Sequence, residues 1–131
     1  MKPLSEIYAD YTATLCYEDI PDQVIEKMKY LLMDYIGVSA AGYRCPAASK
    51  LKDILLIAND EESATVIGSP IKADCLNASL INGTISHYLD MDDGHKPSIS
   101  HPAVAIFLAM LALCETRTCT EIGRASCRER V

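Results

Sequence analysis

Five stretches of the chain carry apolar residues at steps of three and four, the spacing that places them on one face of an α-helix. In the first stretch these residues are Leu4, Ile7, Tyr8, Tyr11 and Leu15. Asp19 and Pro21 suit the start of the second helix and Gly42 suits its end, because acids cap helix starts, proline fits the first turn and glycine ends helices. The pattern predicts an all-α fold with helices over residues 4–15, 21–41, 46–58, 73–89 and 102–115.

A short β-branched segment, Ala64 to Ile67, separates the third and fourth predicted helices. It is bounded by Gly68 and Pro70, which are typical of turns. The segment is predicted to be either a lone strand or an extended loop. It cannot build a sheet alone, so the fold class stays all-α.

The fifth predicted helix is apolar on nearly every side from Pro102 to Leu113. Such a helix has to be buried all round. Four neighbouring helices supply too few partners to cover it, so we expect exposed apolar surface. The chain has no internal repeat whose stacking would cover this apolar surface. We therefore expect residues 1–120 to be a truncated, N-terminal part of a larger helical domain.

The last eleven residues, 121–131, form a polar and basic tail, EIGRASCRERV, without the apolar periodicity of the preceding helix. The codons for this tail can be written, without a mismatch, as the sequence of a common short-read sequencing adapter. We therefore predict a non-native tail that takes no part in the fold.

The composition excludes several classes of protein. Half of the 131 residues are hydrophobic, and the net charge of −6 would repel phosphate backbones and anionic membrane surfaces. The longest apolar stretch, Pro102 to Cys114, is shorter than the roughly 20 residues that span a bilayer. The N-terminus has no secretion signal, and the six cysteines show no C-x-x-C spacing. We expect a cytoplasmic protein that binds neither nucleic acid nor membrane.

The side chains that could take part in catalysis or ligand binding lie in one segment. All three histidines fall within fifteen residues, on the predicted path from the end of the fourth helix to the start of the fifth. The segment carries His87, His95, His101, Asn82, Asp90, Asp92 and Asp93. Such clustering indicates a functional site at this junction.

Two spacings suggest what this site does. His87 and Asp90 are three residues apart, so on a continuing helix the carboxylate would hold the imidazole in one tautomer. His101 precedes Pro102 at a helix start, where free N–H groups favour an anion such as a substrate carboxylate. A histidine there can move a proton at neutral pH.

Other interpretations of the same residues remain open. A calcium loop counted from Asp90 fails, because it would have histidine at positions 6 and 12. A transition-metal site built from the histidines and aspartates is chemically possible, although the spacing matches no known ligand motif. Capping and loop hydrogen bonds account for many of the polar residues. The chain could also be a non-catalytic helical interaction module.

Several segments carry a resemblance to a known family. They are LLMDYIGVSAAG, ATVIGS and ASLINGTISHYLDMDDGHKPSISHP, followed by the apolar helix. Together they resemble the N-terminal part of the MmgE/PrpD family over nearly all of residues 4–115, and the string NGT…H…D-x-DD…HP is the most specific part. The family includes 2-methylcitrate dehydratase, cis-aconitate decarboxylase and an iminodisuccinate epimerase.

The resemblance implies a large all-helical domain, a separate α+β lid, a homodimer, and no metal or organic cofactor. It implies that Asp90, Gly94 and His101 line the active site, and that a further histidine and lysines lie beyond Val131. The decarboxylase branch has threonine where this chain has Gly94, which argues against decarboxylation. On this basis the site assignments are catalysis by His101 and Asp90, substrate binding by Asp93, Gly94 and His95, and orientation by His87, Asp92 and Asn82.

The resemblance also implies a lyase that takes a proton from carbon next to a carboxylate of a small polycarboxylate. We expect a 2-methylcitrate dehydratase-like enzyme, with an epimerase of the same family as the alternative, and we expect the chain itself to be inactive. The metal-binding and interaction modules described above remain the non-catalytic alternatives.

Overall fold

The computed structural model describes residues 2–55 and 64–117. It confirms the all-α fold class, with five α-helices in this part of the chain. The helices are α1 (Leu4–Thr14), α2 (Asp22–Gly42), α3 (Pro46–Leu55), α4 (Cys75–His87) and α5 (Pro102–Thr116). Residues 56–58, predicted as the end of the third helix, and the tail at 121–131 lie outside the described residues.

A two-stranded antiparallel ladder joins α3 to α4. Strand β1 (Ala64–Thr65) pairs with strand β2 (Lys72–Ala73), and Ala64 lies opposite Ala73. The prediction of a lone strand or loop missed β2, because two residues are too short to carry a periodic signal. Gly68, at φ 83°, adopts the left-handed conformation in the turn between the strands.

Both ends of α4 differ from the predicted range 73–89. The prediction placed Ala73 in the helix, but Asp74 caps it: its Oδ1 accepts from the N–H groups of Leu76 and Asn77, both at 3.0 Å. At the other end, α4 stops at His87, and Asp90 adopts a left-handed φ of 52° in the turn that follows. The chain after His87 is therefore a loop and not the continuing helix that the spacing suggested.

Helix α4 lies at the centre of the molecule, where it contacts α2, α3, α5 and both strands. Ile81 and Ile85 on α4 are fully buried. Gly42 allows α2 to approach α4 closely, since a Cβ at this position would fall on the carbonyl oxygen of Ile85. This crossing sets the position of the last turn of α4, which carries His87.

Helix α5 is only partly covered in the described chain, as expected from its shortage of neighbours. Ala103, Phe107, Met110 and Ala112 are buried, but Ile106 is 46% exposed. Helix α1 has no buried residue at all. The expected exposed apolar surface is therefore present. Among residues 2–55 and 64–117, no helix combines the length and apolarity that crossing a membrane requires.

Tyr35 connects α2 to α5 and provides a prediction about pH. Its side chain packs against Phe107, with ring centroids 5.6 Å apart, and is 1% exposed. Burial raises the pKa of Tyr35 to about 12, although the hydroxyls of Ser86 and Ser39 act in the opposite direction. The folded chain thus keeps the phenol neutral at a pH where the unfolded chain has released the proton.

This raised pKa contributes stability that is complete below about pH 10 and is lost as the pH rises to about 12. Two pKa units correspond to about 2.7 kcal/mol. We expect the wild type to lose about 2 kcal/mol more unfolding free energy over this window than Tyr35→Phe, as measured by urea unfolding. The control is Tyr30→Phe, an exposed tyrosine of the same helix, which should behave as the wild type does. Equal pH slopes for the wild type and Tyr35→Phe would contradict the prediction.

Candidate active site at the α4–α5 junction

The site lies where α4 ends and α5 begins. His87 is the last residue of α4, and His101 is the residue that immediately precedes Pro102 at the start of α5. The intervening loop contains a short 3₁₀ turn, Lys96–Ser98, and a bridge between His95 and Ser100. The loop folds back on itself and brings the two helix ends together.

One buried carboxylate, that of Asp92, contacts both imidazoles. Its side chain is 1% exposed, and its two oxygens lie 3.0 and 3.2 Å from Nδ1 of His87. Oδ2 also lies 3.3 Å from Nδ1 of His101. The two rings meet edge to face, with centroids 4.9 Å apart. His87, Asp92 and His101 therefore form a compact group.

The expected pairing of His87 with Asp90 is wrong. That pairing required a helix continuing past His87, but Asp90 lies in a turn beyond the end of α4. Asp92 takes the place next to His87. Asp90 instead approaches His101, with Oδ1 4.0 Å from Nε2 and a side chain that is 82% exposed.

Asp93 occupies the start of α5. Its Oδ1 accepts a hydrogen bond of 2.9 Å from the N–H of Ala103. A carboxylate is stabilised there by the free N–H groups and the helix dipole. The sequence suggested this helix start as the place for a substrate carboxylate, but the protein's own Asp93 satisfies the N–H of Ala103.

Asp93 also lines a cavity, together with Gly94 and His95. The cavity has a volume of about 620 Å³, and α2 forms its opposite wall through Lys27 and Tyr30. A Cβ on Gly94 would meet no atom within 4 Å, so the loop is open at that point. The structure thus brings the three residues predicted to bind substrate to one cavity.

His95 is held by its own loop and not by the carboxylates. Its Nδ1 lies 2.6 Å from the hydroxyl oxygen of Ser98, which lies 2.6 Å from that of Ser100. No ion pair joins His95 to an aspartate within residues 2–55 and 64–117. His95 is therefore separate from the group of His87, Asp92 and His101.

Asn82 is buried but does not reach the imidazoles. Its Oδ1 accepts from the N–H of Ile67 at 2.9 Å, and its Nδ2 donates to the carbonyl of Thr65 at 2.8 Å. These hydrogen bonds attach the β1 segment to α4. The sequence grouped Asn82 with His87 and Asp92, whereas the structure places its contacts with residues 65–67.

The geometry also bears on metal binding. His87, Asp90, Asp92 and His101 each offer one ligand atom, and these atoms all lie within 4.8 Å of one another. Imidazole nitrogens and carboxylate oxygens suit a divalent ion such as Zn²⁺. These four residues are the ones that could hold a metal in the described part of the chain.

The charge of the site is negative. Three carboxylates lie here, and in the described ranges no lysine or arginine comes within 4.0 Å of Asp90, Asp92 or Asp93. An anionic ligand would be repelled unless cations approach from elsewhere. Lys27, on the wall of the neighbouring cavity, is a nearby cation of this chain that the sequence did not indicate.

Comparison with known proteins identifies the family. The MmgE/PrpD N-terminal domain matches residues 6–126, so the chain belongs to the MmgE/PrpD family. The match ends at residue 126, inside the segment 121–131 that the sequence predicts to be a non-native tail. The non-native origin of this tail remains a prediction.

Three curated relatives are cis-aconitate decarboxylases. The chain is 28% identical to that of Aspergillus terreus over 105 residues, which are 80% of this chain and 21% of the relative. It is 28% identical to those of Mus musculus and Homo sapiens over 116 residues, 88% of this chain and 24% of each relative. The chain thus spans less than a quarter of the length of these relatives.

Proposed function

We propose that this chain supplies one part of the active site of a lyase that acts on small polycarboxylates. The observation that carries the proposal is the pair of imidazoles held at the α4–α5 junction, with the Asp90 carboxylate 4.0 Å from Nε2 of His101. Family membership and the names of the curated relatives support it.

The reaction we propose begins with loss of a proton from carbon next to a carboxylate. His101 acts as the base through Nε2, since an imidazole can take a proton near neutral pH. Asp90 is the second catalytic group, because its exposed carboxylate faces the same nitrogen. The carbanion that develops needs cationic donors to stabilise it.

Substrate binding is proposed for the cavity of about 620 Å³ that Asp93, Gly94 and His95 line. His95 can donate a hydrogen bond to a substrate oxygen, and Lys27 on the opposite wall offers a positive charge. Gly94 leaves the loop open, so a substituent of the substrate can lie against its backbone. Asp93 contributes by holding the start of α5 in place.

Among the reactions of such enzymes, we propose dehydration of the 2-methylcitrate type, because Gly94 offers no hydroxyl to the substrate. Epimerisation of the iminodisuccinate type is the alternative, since it also needs one proton moved. The names of the relatives make decarboxylation of cis-aconitate the third reaction to assay. We further propose a cytoplasmic homodimer that uses no cofactor.

The test compares this chain alone with a fusion protein. In the fusion, the chain replaces the matched 116-residue segment of the Mus musculus relative. We expect no turnover by the chain alone on 2-methylcitrate, iminodisuccinate or cis-aconitate, because in the described ranges no lysine or arginine pairs with Asp90, Asp92 or Asp93. We expect turnover of at least one substrate by the fusion, followed by product analysis.

Two outcomes would contradict the proposal. A fusion that is folded by circular dichroism but converts none of the three substrates would contradict the lyase function. Turnover by the chain alone that disappears in His101→Gln would contradict its expected inactivity.

A metal-binding function is the second candidate, because four ligand atoms lie within 4.8 Å of one another. The discriminating experiment is purification without chelators, followed by metal analysis of the wild type and of Asp92→Asn. Stoichiometric metal in the wild type and none in the variant would favour this function over the lyase.

A further inference from the structure

We propose that Asp92 is a positioning residue for two imidazoles at once, and that it holds both His87 and His101 with the proton on Nδ1. His87 is then a second imidazole that presents an unprotonated Nε2 at this site. The part that Asp92 plays in catalysis rests on the proposed function, whereas the tautomers that it imposes do not.

The contact with His87 determines the first tautomer. An ionised carboxylate only accepts hydrogen bonds, so the nitrogen facing it must carry the proton. Both oxygens of Asp92 lie within 3.2 Å of Nδ1 of His87. The proton of a neutral His87 therefore lies on Nδ1, and Nε2 keeps its lone pair.

The surroundings of His101 determine the second tautomer, that of His101 itself. Its Nδ1 is buried and makes no hydrogen bond of standard geometry in the described part of the chain. Oδ2 of Asp92, 3.3 Å away, is the acceptor within reach. A lone pair on Nδ1 would face the negative oxygen and be repelled, whereas an N–H on Nδ1 is attracted to it.

The burial of Asp92 makes this arrangement specific. Its side chain is 1% exposed, so water does not compete for its oxygens, while the side chain of Asp90 is 82% exposed. A buried carboxylate without partners is costly, and two N–H donors offset that cost. Asp92 rather than Asp90 therefore sets the orientation of both rings.

The consequence for the site is a pair of proton acceptors. Nε2 of His101 faces Asp90, at 4.0 Å from its Oδ1. His87 lines a different cavity, of about 420 Å³ between α4 and α5, beside Thr84 and Tyr88. We assign to His87 the role of a second proton-holding group, available to a ligand that enters from the α4–α5 side.

The experiment is long-range ¹H–¹⁵N NMR of the ¹⁵N-histidine-labelled chain, after chelator treatment. It is recorded at about pH 8.5, well above the ordinary histidine pKa of about 6.5. In the wild type we expect His87 and His101 both to show the Nδ1–H pattern. Either ring with its proton on Nε2 would overturn the proposal, and this readout requires no variant.

Asp92→Ala makes the test sharper. Alanine offers no acceptor to either ring, so nothing at position 92 holds a proton on Nδ1. Asp90 is then the carboxylate that faces His101, and it faces Nε2. We expect His101 to move its proton to Nε2 while His95, which contacts Ser98 and not Asp92, stays unchanged as the internal control. Unchanged tautomers in all three histidines of a folded variant would overturn the proposal.

The NMR result and the activity of the fusion protein together distinguish the proposed role of Asp92 from the proposed lyase function. Nδ1–H tautomers in both rings, together with a fusion protein that converts no polycarboxylate, would sustain the role of Asp92 and refute only the proposed function. Turnover by the fusion with the proton of His87 on Nε2 and that of His101 on Nδ1 would refute only the role of Asp92.

Discussion

Replacing Gly42 by alanine is expected to destabilise the chain strongly. A Cβ at this position would fall on the carbonyl oxygen of Ile85, so α2 and α4 would have to move apart. The obstacle is backbone and cannot rotate away as a side chain can. We expect Gly42→Ala to lower the unfolding free energy by about 3 kcal/mol, the upper end of the usual cost of overpacking.

Gly37→Ala is the matched control, since it makes the same chemical change in the same helix. No atom lies within 4 Å of a Cβ at Gly37. Alanine should therefore stabilise α2 at this position by up to about 1 kcal/mol through its higher helix propensity. Urea unfolding followed by circular dichroism measures both variants, and a Gly42→Ala chain as stable as Gly37→Ala would contradict the packing described for α2 and α4.

The helices could be predicted from the sequence because their signals are local. Apolar periodicity and the prolines at positions 21 and 102 placed four of the predicted starts within one residue of the observed helices. The start of α4 was missed because Asp74, which caps it, follows a two-residue strand whose pairing depends on Ala64. Such a pairing is a tertiary contact that no local pattern shows.

The location of the candidate site could also be predicted, but not its pairings. Three histidines within fifteen residues marked the junction of α4 and α5. The partner of His87 was assigned from helical spacing, which fails once the helix ends at that residue. The approach of Lys27 to the loop of Gly94 and His95 depends on how α2 packs, so spacing along the chain could not show it.

Loss of the imidazole at position 101 is expected to have the largest effect on activity. Nε2 of His101 faces the exposed carboxylate of Asp90, and the proposed reaction needs this nitrogen to take a proton. Glutamine has a similar reach but cannot serve as a base. General base catalysis contributes about 10²- to 10⁴-fold, so we expect His101→Gln in the fusion protein to lower kcat by about that factor.

His95→Gln is the comparison variant, because His95 lines the cavity without contacting the group of His87, Asp92 and His101. An imidazole that only binds substrate affects KM, whereas one that moves a proton affects kcat. We therefore expect His95→Gln to raise KM by about tenfold, equivalent to about 1.4 kcal/mol, and to change kcat little.

The measurement that tests the central claim most directly is the steady-state kinetics of the fusion protein with wild-type sequence, His101→Gln and His95→Gln, on the substrate that the wild type converts. The proposed function predicts a loss in kcat for His101→Gln and a rise in KM for His95→Gln, in proteins of equal helix content. Equal kcat values for the wild type and His101→Gln would contradict it, because proton transfer would then not depend on this site.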